Sequence, residues 1–182
     1  PQPDGNQNAL ELLQQVDRMN QGRYMDDELV NATATDFCIG VAGYPEKHHD
    51  APNLKADIRW LKQKVKAGAK FITTQMFFDN KAYFDFVATC RKEGIDIPII
   101  PGIKPLATLK QITLLPKVFP IDIPEALADA VEQAPNEQAV RQIGIEWAIE
   151  QCRELKAAGV PVLHFYTMGK SQATKRIAEA VF

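Results

Sequence analysis

Apolar positions along the chain alternate between helical and strand spacing. Leu10, Leu13 and Val16 stand three residues apart and predict a helix over 8–19. Four short apolar runs then predict strands, and each run is followed by a helical stripe with a capping residue or a terminal glycine. The predicted strands cover 37–43, 71–78, 97–103 and 162–167, and the later helices cover 53–67, 79–93, 108–115, 124–133, 136–158 and 171–181.

Strands that each precede a helix predict a parallel α/β sheet with right-handed crossovers. The first strand is expected to be buried on both faces. About four βα units are present, whereas a closed (β/α)8 barrel has eight, so the pattern fits half of a barrel or a small open sheet. No glycine-rich loop of the G-x-G-x-x-G or Walker type follows a predicted strand, which disfavours a doubly wound nucleotide-binding fold. No repeat or low-complexity linker divides 1–182.

Charge and cysteine content narrow the classes of function. The chain has 21 Lys and Arg against 23 Asp and Glu, so it lacks the broad positive charge typical of nucleic-acid binding. No apolar run approaches the roughly 20 residues that cross a bilayer. The three cysteines, Cys38, Cys90 and Cys152, form neither a disulfide framework nor a C-x-x-C clamp, which favours a reducing cytoplasm. Because residues 1–5 contain no initiator Met and no leader pattern, we expect the chain to begin within a longer one.

Candidate chemistry lies where the predicted strands end, since functional groups of parallel α/β folds gather there. Gln75 is an amide in an otherwise apolar strand; it is either tied to the backbone or a bidentate ligand for a flavin, pterin or nicotinamide ring. Tyr44 is either a rim aromatic or a ring that contacts a ligand. Phe77–Phe78 and His164 are expected to be core residues. No Ser/His/Asp series supports a hydrolase.

Polar residues after the first strand indicate an anion site. His48 and His49 share a polar loop, but no H-E-x-x-H pattern accompanies them, so we expect no metal and favour surface or anion-facing histidines. Lys64 is either a phosphate partner or a solvated lysine near a helix C-terminus. Asp57 and Lys64, seven residues apart, share one face of the following helix. A ligand along that face would meet both.

Four strings of the chain resemble the methylenetetrahydrofolate reductase family. They are DFCIGVAGYPEKHHDAPN, KVKAGAKFITTQMFFDN, IPIIPGIKP and HFYTMGKS, and the resemblance runs from about Asp36 to the C-terminus. It implies a (β/α)8 TIM barrel that carries FAD and reduces 5,10-methylenetetrahydrofolate to 5-methyltetrahydrofolate with NADH or NADPH. Residues 1–182 would be the C-terminal part of this FAD-binding catalytic domain, with about its last four βα units. We expect the full-length protein to be a cytoplasmic homo-oligomer.

The resemblance also implies roles for individual residues. Those that match FAD-contacting positions are Tyr44, His48, Ala51, Asp57 and Lys64. Gln75 matches a catalytic glutamine that meets folate and nicotinamide in turn, and Gln111 matches a second folate-contacting glutamine. Leu115 stands where some members have a phenylalanine against the nicotinamide. Lys170 stands where many have an arginine near the folate, and it supplies the charge without a bidentate fork.

The resemblance further places two elements of the family's site before Pro1. These are a proton-donating glutamate and an Arg-Gly-Asp string near the flavin, so we expect residues 1–182 alone to be inactive and to expose apolar sheet edges. Two other functions fit the residues. One is a barrel enzyme that binds a phosphate-bearing or pterin ligand without flavin, and the other is a non-enzymatic binding or assembly module.

Overall fold

A computed structural model describes residues 5–26 and 28–182 of the protein. Along these residues each strand is followed by a helix, and three helices in succession follow β3. In chain order they are α1 Ala9–Asn20, β1 Gly40–Gly43, α2 Leu54–Lys66, β2 Phe71–Met76, α3 Asn80–Lys92, β3 Ile99–Ile103, α4 Gln111–Val118, α5 Glu125–Glu132, α6 Glu137–Ala157, β4 His164–Phe165 and α7 Gln172–Val181.

Four helices begin where the sequence provides a capping side chain. Asn8, Asn53 and Asn136 each accept the backbone N–H three residues ahead, and Asp79 accepts the N–H two residues ahead. These helices start within a residue of their predicted bounds. The helix expected at 108–115 starts later, at Gln111, where no side chain caps it.

The four strands form one parallel sheet in the order β1-β2-β3-β4. Each crossover moves to the next position in the same direction, as in a barrel, whereas a doubly wound sheet reverses its order. The predicted α/β class with four βα units is confirmed. One irregularity interrupts the sheet: Thr73 pairs with Ile100 but Met76 pairs with Gly102, so β2 has one extra residue opposite β3.

The core has two parts. The first lies between the sheet and α2, α3, α6 and α7, and includes Ile72, Phe77, Phe86 and Ile177. The second lies under α4 and α5 beyond the carboxyl end of β2; it includes Met76, Phe78, Leu106, Leu115, Leu127 and Val131. Phe77 and Phe78 are 0% and 2% exposed, which confirms them as core residues. The second part supports the segments that follow β3.

The outer strands differ from prediction. β1 starts at Gly40 and is not buried on both faces, and Phe37, predicted within it, is 52% exposed. β4 has only two residues, Val162 is 52% exposed, and His164 is exposed, so the predictions of a longer strand and a core histidine were wrong. The physical reason is position: within the described residues each outer strand pairs on one side only, so its other side has no strand to cover it.

Two further predictions concern the three cysteines and the lack of a segment that crosses a membrane. Cys90 and Cys152 are buried, Cys38 is exposed, and all three are free thiols. Burial raises the pKa of Cys90 and of Cys152 to about 11, so both are protonated and unreactive at neutral pH. Among the described residues, no helix has the length and apolar character needed to cross a membrane.

Candidate functional site

The segment 44–51, which we call the β1 loop, carries most of the predicted cofactor residues. Its course is fixed by backbone contacts: Lys47 Nζ donates to the Ala51 carbonyl at 2.8 Å, and the His48 N–H donates to Asp57 Oδ2 at 2.8 Å. Lys47 has a φ of +123°, a conformation that L-residues rarely adopt. Asp57 is 9% exposed, and Ala51 is 8% exposed, so the loop is held against the start of α2.

Tyr44 and His48 form an aromatic pair in the β1 loop. Their ring centroids lie 4.6 Å apart with an edge-to-face angle of 72°, and both residues are half-buried. Burial raises the pKa of the Tyr44 hydroxyl, and the nearby Asp57 carboxylate raises it further. His48 Nδ1 accepts the Asp50 N–H at 3.2 Å, so a neutral His48 carries its proton on Nε2. Tyr44 therefore offers an O–H and His48 an N–H to a ligand.

Lys64 reaches the sheet from the last turn of α2. Its ammonium donates to the Ala42 carbonyl at 3.1 Å and forms no ion pair with a carboxylate of the described residues. Burial lowers the pKa of Lys64, and the charge of Asp57 offsets part of this effect. Two N–H groups of a partly buried ammonium are thus left over. Such a cation is suited to an anionic partner such as a phosphate.

Gln75 lies near the carboxyl end of β2 and is half-buried. Its Oε1 accepts the N–H of Met76 at 3.0 Å, which is a local contact. Its amide nitrogen has no hydrogen-bond partner among the described residues. The structure therefore combines the two sequence-based interpretations, since the carbonyl is tied to the backbone and two donors remain for a ligand.

Sequence reasoning missed a polar junction that joins three strands. Thr74 is fully buried; its Oγ1 accepts the Gly102 N–H at 2.9 Å, and its carbonyl accepts the Tyr166 hydroxyl at 2.8 Å. A Cβ on Gly102 would overlap the Thr74 carbonyl oxygen, so only glycine fits there. The signal in the sequence was a threonine followed by Gln75 at the end of an apolar strand. The junction fixes the strand ends beside Gln75.

The other predicted substrate residues occupy different environments. Gln111 Oε1 accepts the N–H groups of Ala107 at 2.6 Å and Thr108 at 3.3 Å, so this glutamine holds the segment before α4. Leu115 is 6% exposed and packs in the second part of the core. Lys170 is exposed and lines a groove between the beginnings of α6 and α7. The structure thus joins four of the predicted cofactor residues, Tyr44, His48, Ala51 and Asp57, through contacts with one another. Lys64 contacts Ala42 instead, and Lys170 is not joined to the group.

His48, His49 and Asp50 place potential ligand atoms within 4.8 Å of one another. His49 Nε2 lies 3.0 Å from an Asp50 carboxylate oxygen, and both of these residues are exposed. His48 Nδ1 is already occupied by the Asp50 N–H. The expectation that these histidines hold no metal stays a prediction, and two of the candidate ligand atoms already contact Asp50.

Comparison with known proteins identifies close relatives. A family model described as methylenetetrahydrofolate reductase matches residues 5–181. The chain is 37% identical over 174 residues to a probable methylenetetrahydrofolate reductase (NADPH) of Caenorhabditis elegans, with 94% of the chain and 26% of the relative covered. It is 41% identical over 145 residues to methylenetetrahydrofolate reductase 1 of Schizosaccharomyces pombe, with 79% of the chain and 24% of the relative covered.

A bacterial relative is covered to a greater extent. The chain is 36% identical over 147 residues to 5,10-methylenetetrahydrofolate reductase of Salmonella typhimurium, with 80% of the chain and 50% of the relative covered. The chain therefore spans about a quarter of the length of the two eukaryotic relatives and half of the bacterial one.

The chain also resembles solved structures, one of which illustrates the shared fold. It is an uncharacterized protein from Clostridium thermocellum, which binds two copies of 5-methyl-5,6,7,8-tetrahydrofolic acid. The TM-score is 0.57 at 20% identity, and the match covers 80% of this chain and 53% of that one. With the family match, it confirms the predicted α/β fold of the (β/α)8 barrel family.

Proposed function

The chain belongs to the methylenetetrahydrofolate reductase family, and from this membership we propose that it serves the reduction of 5,10-methylenetetrahydrofolate to 5-methyltetrahydrofolate. The reductant is NADH or NADPH, and FAD is the bound cofactor. The observation that carries the proposal is the family match, which extends over residues 5–181 and includes every candidate site residue.

The β1 loop and α2 have the chemistry that FAD requires. Lys64 has two free N–H groups for a phosphate, His48 has an Nε2–H, and Tyr44 presents a half-buried ring and hydroxyl. Asp57 orients the loop through the His48 N–H, and Ala51 closes it against α2. Bound FAD would supply hydride transfer, while these residues hold and orient it.

We assign the orientation of both substrates to Gln75. Its free amide nitrogen is able to donate to a carbonyl on a nicotinamide or a pterin ring, and the Thr74 junction fixes the strand that carries it. Gln111 and Lys170 are assigned to folate, Lys170 through a single ammonium charge directed at a carboxylate. Leu115 is assigned to the nicotinamide side, which it supports by its packing in the second part of the core.

The remaining assignments concern the protein as a whole. We propose that residues 1–182 form the C-terminal part of one FAD-binding barrel domain, which works in the cytoplasm as part of a homo-oligomer. The exposed apolar residues Phe37 and Val162, next to the outer strands, support further pairing at those edges. The free thiols of Cys38, Cys90 and Cys152 support a reducing compartment.

Absorbance of the intact purified protein tests the proposal. It should show a flavin spectrum that bleaches anaerobically with NADH or NADPH and returns when 5,10-methylenetetrahydrofolate is added. A colourless protein that binds folate would instead favour the flavin-free barrel enzyme. A protein that binds neither flavin nor folate would overturn the proposed function.

A matched pair of lysines tests the cofactor site. Lys64→Met should weaken FAD binding by about one to two decades, because a charge-assisted contact contributes about 1.5–3 kcal/mol. Lys66→Met serves as the control, since Lys66 is exposed in the same last turn of α2. Equal FAD affinity in both variants would contradict a cofactor contact by Lys64 and leave it only its structural contact with Ala42.

A further inference from the structure

One carboxyl group of the β1 loop, that of Glu46, has no part in the proposed function. Glu46 lies between Tyr44 and His48 in the sequence, and its Oε1 accepts the Asp122 N–H at 3.0 Å. This hydrogen bond joins the β1 loop to the connection between α4 and α5, 76 residues further along the chain. The second oxygen, Oε2, is buried and has no hydrogen-bond partner within the described residues.

The charges that face Glu46 are negative. The carboxylates of Asp122, in the α4–α5 connection, and Asp79, after β2, both oppose its ionisation. Among the described residues, no Lys, Arg or His forms an ion pair with it. Burial has the largest effect, and it raises the pKa of Glu46 to about 7 although the Asp122 N–H lowers it. Glu46 therefore changes its protonation near neutral pH.

The backbone next to Glu46 is strained and depends on its contacts. Lys47 holds a φ of +123°, and such conformations persist only where the surroundings fix them. On the C-terminal side, the Lys47–Ala51 and His48–Asp57 hydrogen bonds provide this support. On the N-terminal side, the Glu46–Asp122 hydrogen bond provides it. Loss of that bond would let the loop relax and move Tyr44 relative to His48.

We infer that Glu46 is a positioning residue of the cofactor site: a protonated Glu46 keeps the β1 loop against the α4–α5 connection, and ionisation weakens this arrangement because the cost of a buried charge exceeds the gain from a stronger Asp122 hydrogen bond. The inference rests on the proposed FAD site at Tyr44 and His48. A neutral Glu46 occupies its buried position without a charge, whereas an ionised Glu46 leaves an uncompensated charge beside two carboxylates.

The direction of the pH effect follows from the protonation states. We call the β1 loop seated when Glu46 contacts Asp122. Glu46 binds its proton more tightly in the seated loop than a glutamate does in water. The seated loop is therefore favoured at low pH, and it becomes less stable as the pH rises through 7. FAD affinity should fall along the same path, because the cofactor binds the seated loop.

FAD titrations of the intact protein between pH 5.5 and 8.5 test the inference. Wild-type affinity should fall by about 3–10-fold over this range, a partial effect because Glu46 is not fully buried. Glu46→Gln keeps an acceptor oxygen without charge, so it should bind FAD with little pH dependence. Glu46→Ala should bind weakly at every pH. Asp129→Asn, an exposed carboxylate on α5, is the control and should match wild type.

Two results would overturn the inference. A pH dependence of wild-type size in Glu46→Gln would show that a group other than Glu46 causes it. Hydrogen exchange at the Asp122 amide provides a readout without FAD, because exchange should be faster in Glu46→Ala and close to wild type in Glu46→Gln. Equal exchange in all three proteins would also overturn it. If wild type binds no FAD at any pH, the proposed function fails, while the exchange data still decide the role of Glu46.

Discussion

Replacement of Thr74 with valine removes one oxygen from the junction of β2, β3 and β4. The extra residue in β2 interrupts its pairing with β3 between Thr73 and Met76. Gly102 lies opposite this irregularity, and its N–H is satisfied by Thr74 Oγ1 at 2.9 Å. The hydroxyl thus replaces a hydrogen bond of the sheet ladder. Valine has nearly the same shape but no acceptor.

The size of the effect follows from burial. Thr74 is fully buried, so the Gly102 N–H would be left without a partner and without access to water. An unsatisfied buried donor costs about 1–3 kcal/mol, and the added methyl group returns about 0.8 kcal/mol. We therefore expect Thr74→Val to lower the free energy of unfolding by about 0.2–2 kcal/mol, which lowers the melting temperature by about 2–4 °C per kcal/mol.

Urea denaturation of the intact protein is the assay, and the midpoint should fall with the slope unchanged. Thr73→Val is the matched control, since Thr73 is the preceding residue of the strand, half-buried and without a side-chain hydrogen bond in the described structure. Amide exchange at Gly102 should accelerate only in Thr74→Val. If both valine variants were equally stable, the proposed part of Thr74 in the junction would be refuted.

Three further predictions address the core, the substrates and pH. Gly144→Ala should destabilise the protein by at least about 2 kcal/mol in urea denaturation, because its Cβ would overlap the Leu106 backbone; stability within 0.5 kcal/mol of wild type would contradict this. Gln75→Ala should slow both half-reactions in stopped-flow traces, with the exposed Gln63→Ala as control, while Gln75→Glu should spare one of them; unchanged rates in Gln75→Ala would remove its role. Glu46→Gln should be more stable than wild type by about 1–2 kcal/mol at pH 8 and equal to it near pH 4.5, since the raised pKa costs wild type stability as pH rises; an equal difference at both pH values would contradict the assignment.

The regular elements were predictable because local chemistry determines them. Asn8, Asn53, Asp79 and Asn136 cap their helices with their own side chains, so those starts are legible from the sequence. The first and last residues of the outer strands were not predictable from the sequence. An apolar run such as 37–43 signals a strand, but its length depends on neighbouring strands, and β1 has only one neighbour in the described sheet.

The site was predictable only in part, for a related reason. Tyr44 and His48 follow β1 and Asp57 stands in the first turn of α2, so topology brings these three to one edge of the sheet. Lys64 lies in the last turn of α2 and meets β1 only through its long side chain, which contacts the Ala42 carbonyl. The contact of Glu46 was not predictable, because its partner is the Asp122 backbone, 76 residues away, and no pattern of residue types encodes such a contact. Thr74 escaped because threonine is common in strands, and its role arises only from the irregular pairing with β3.

The polar residues at this edge share one physical feature, which links stability to binding. Four polar side chains each form a hydrogen bond with a backbone group: Lys64, Thr74, Glu46 and Gln75. All of them except Thr74 also keep a polar atom that has no partner among the described residues. The backbone contact fixes the side chain in advance, so less conformational entropy is lost when a ligand meets the remaining atom. Truncation of Lys64 or Gln75 would therefore remove the proposed ligand contact and a structural contact together. Binding losses in such variants are attributable to the ligand only when unfolding free energies have been measured in parallel.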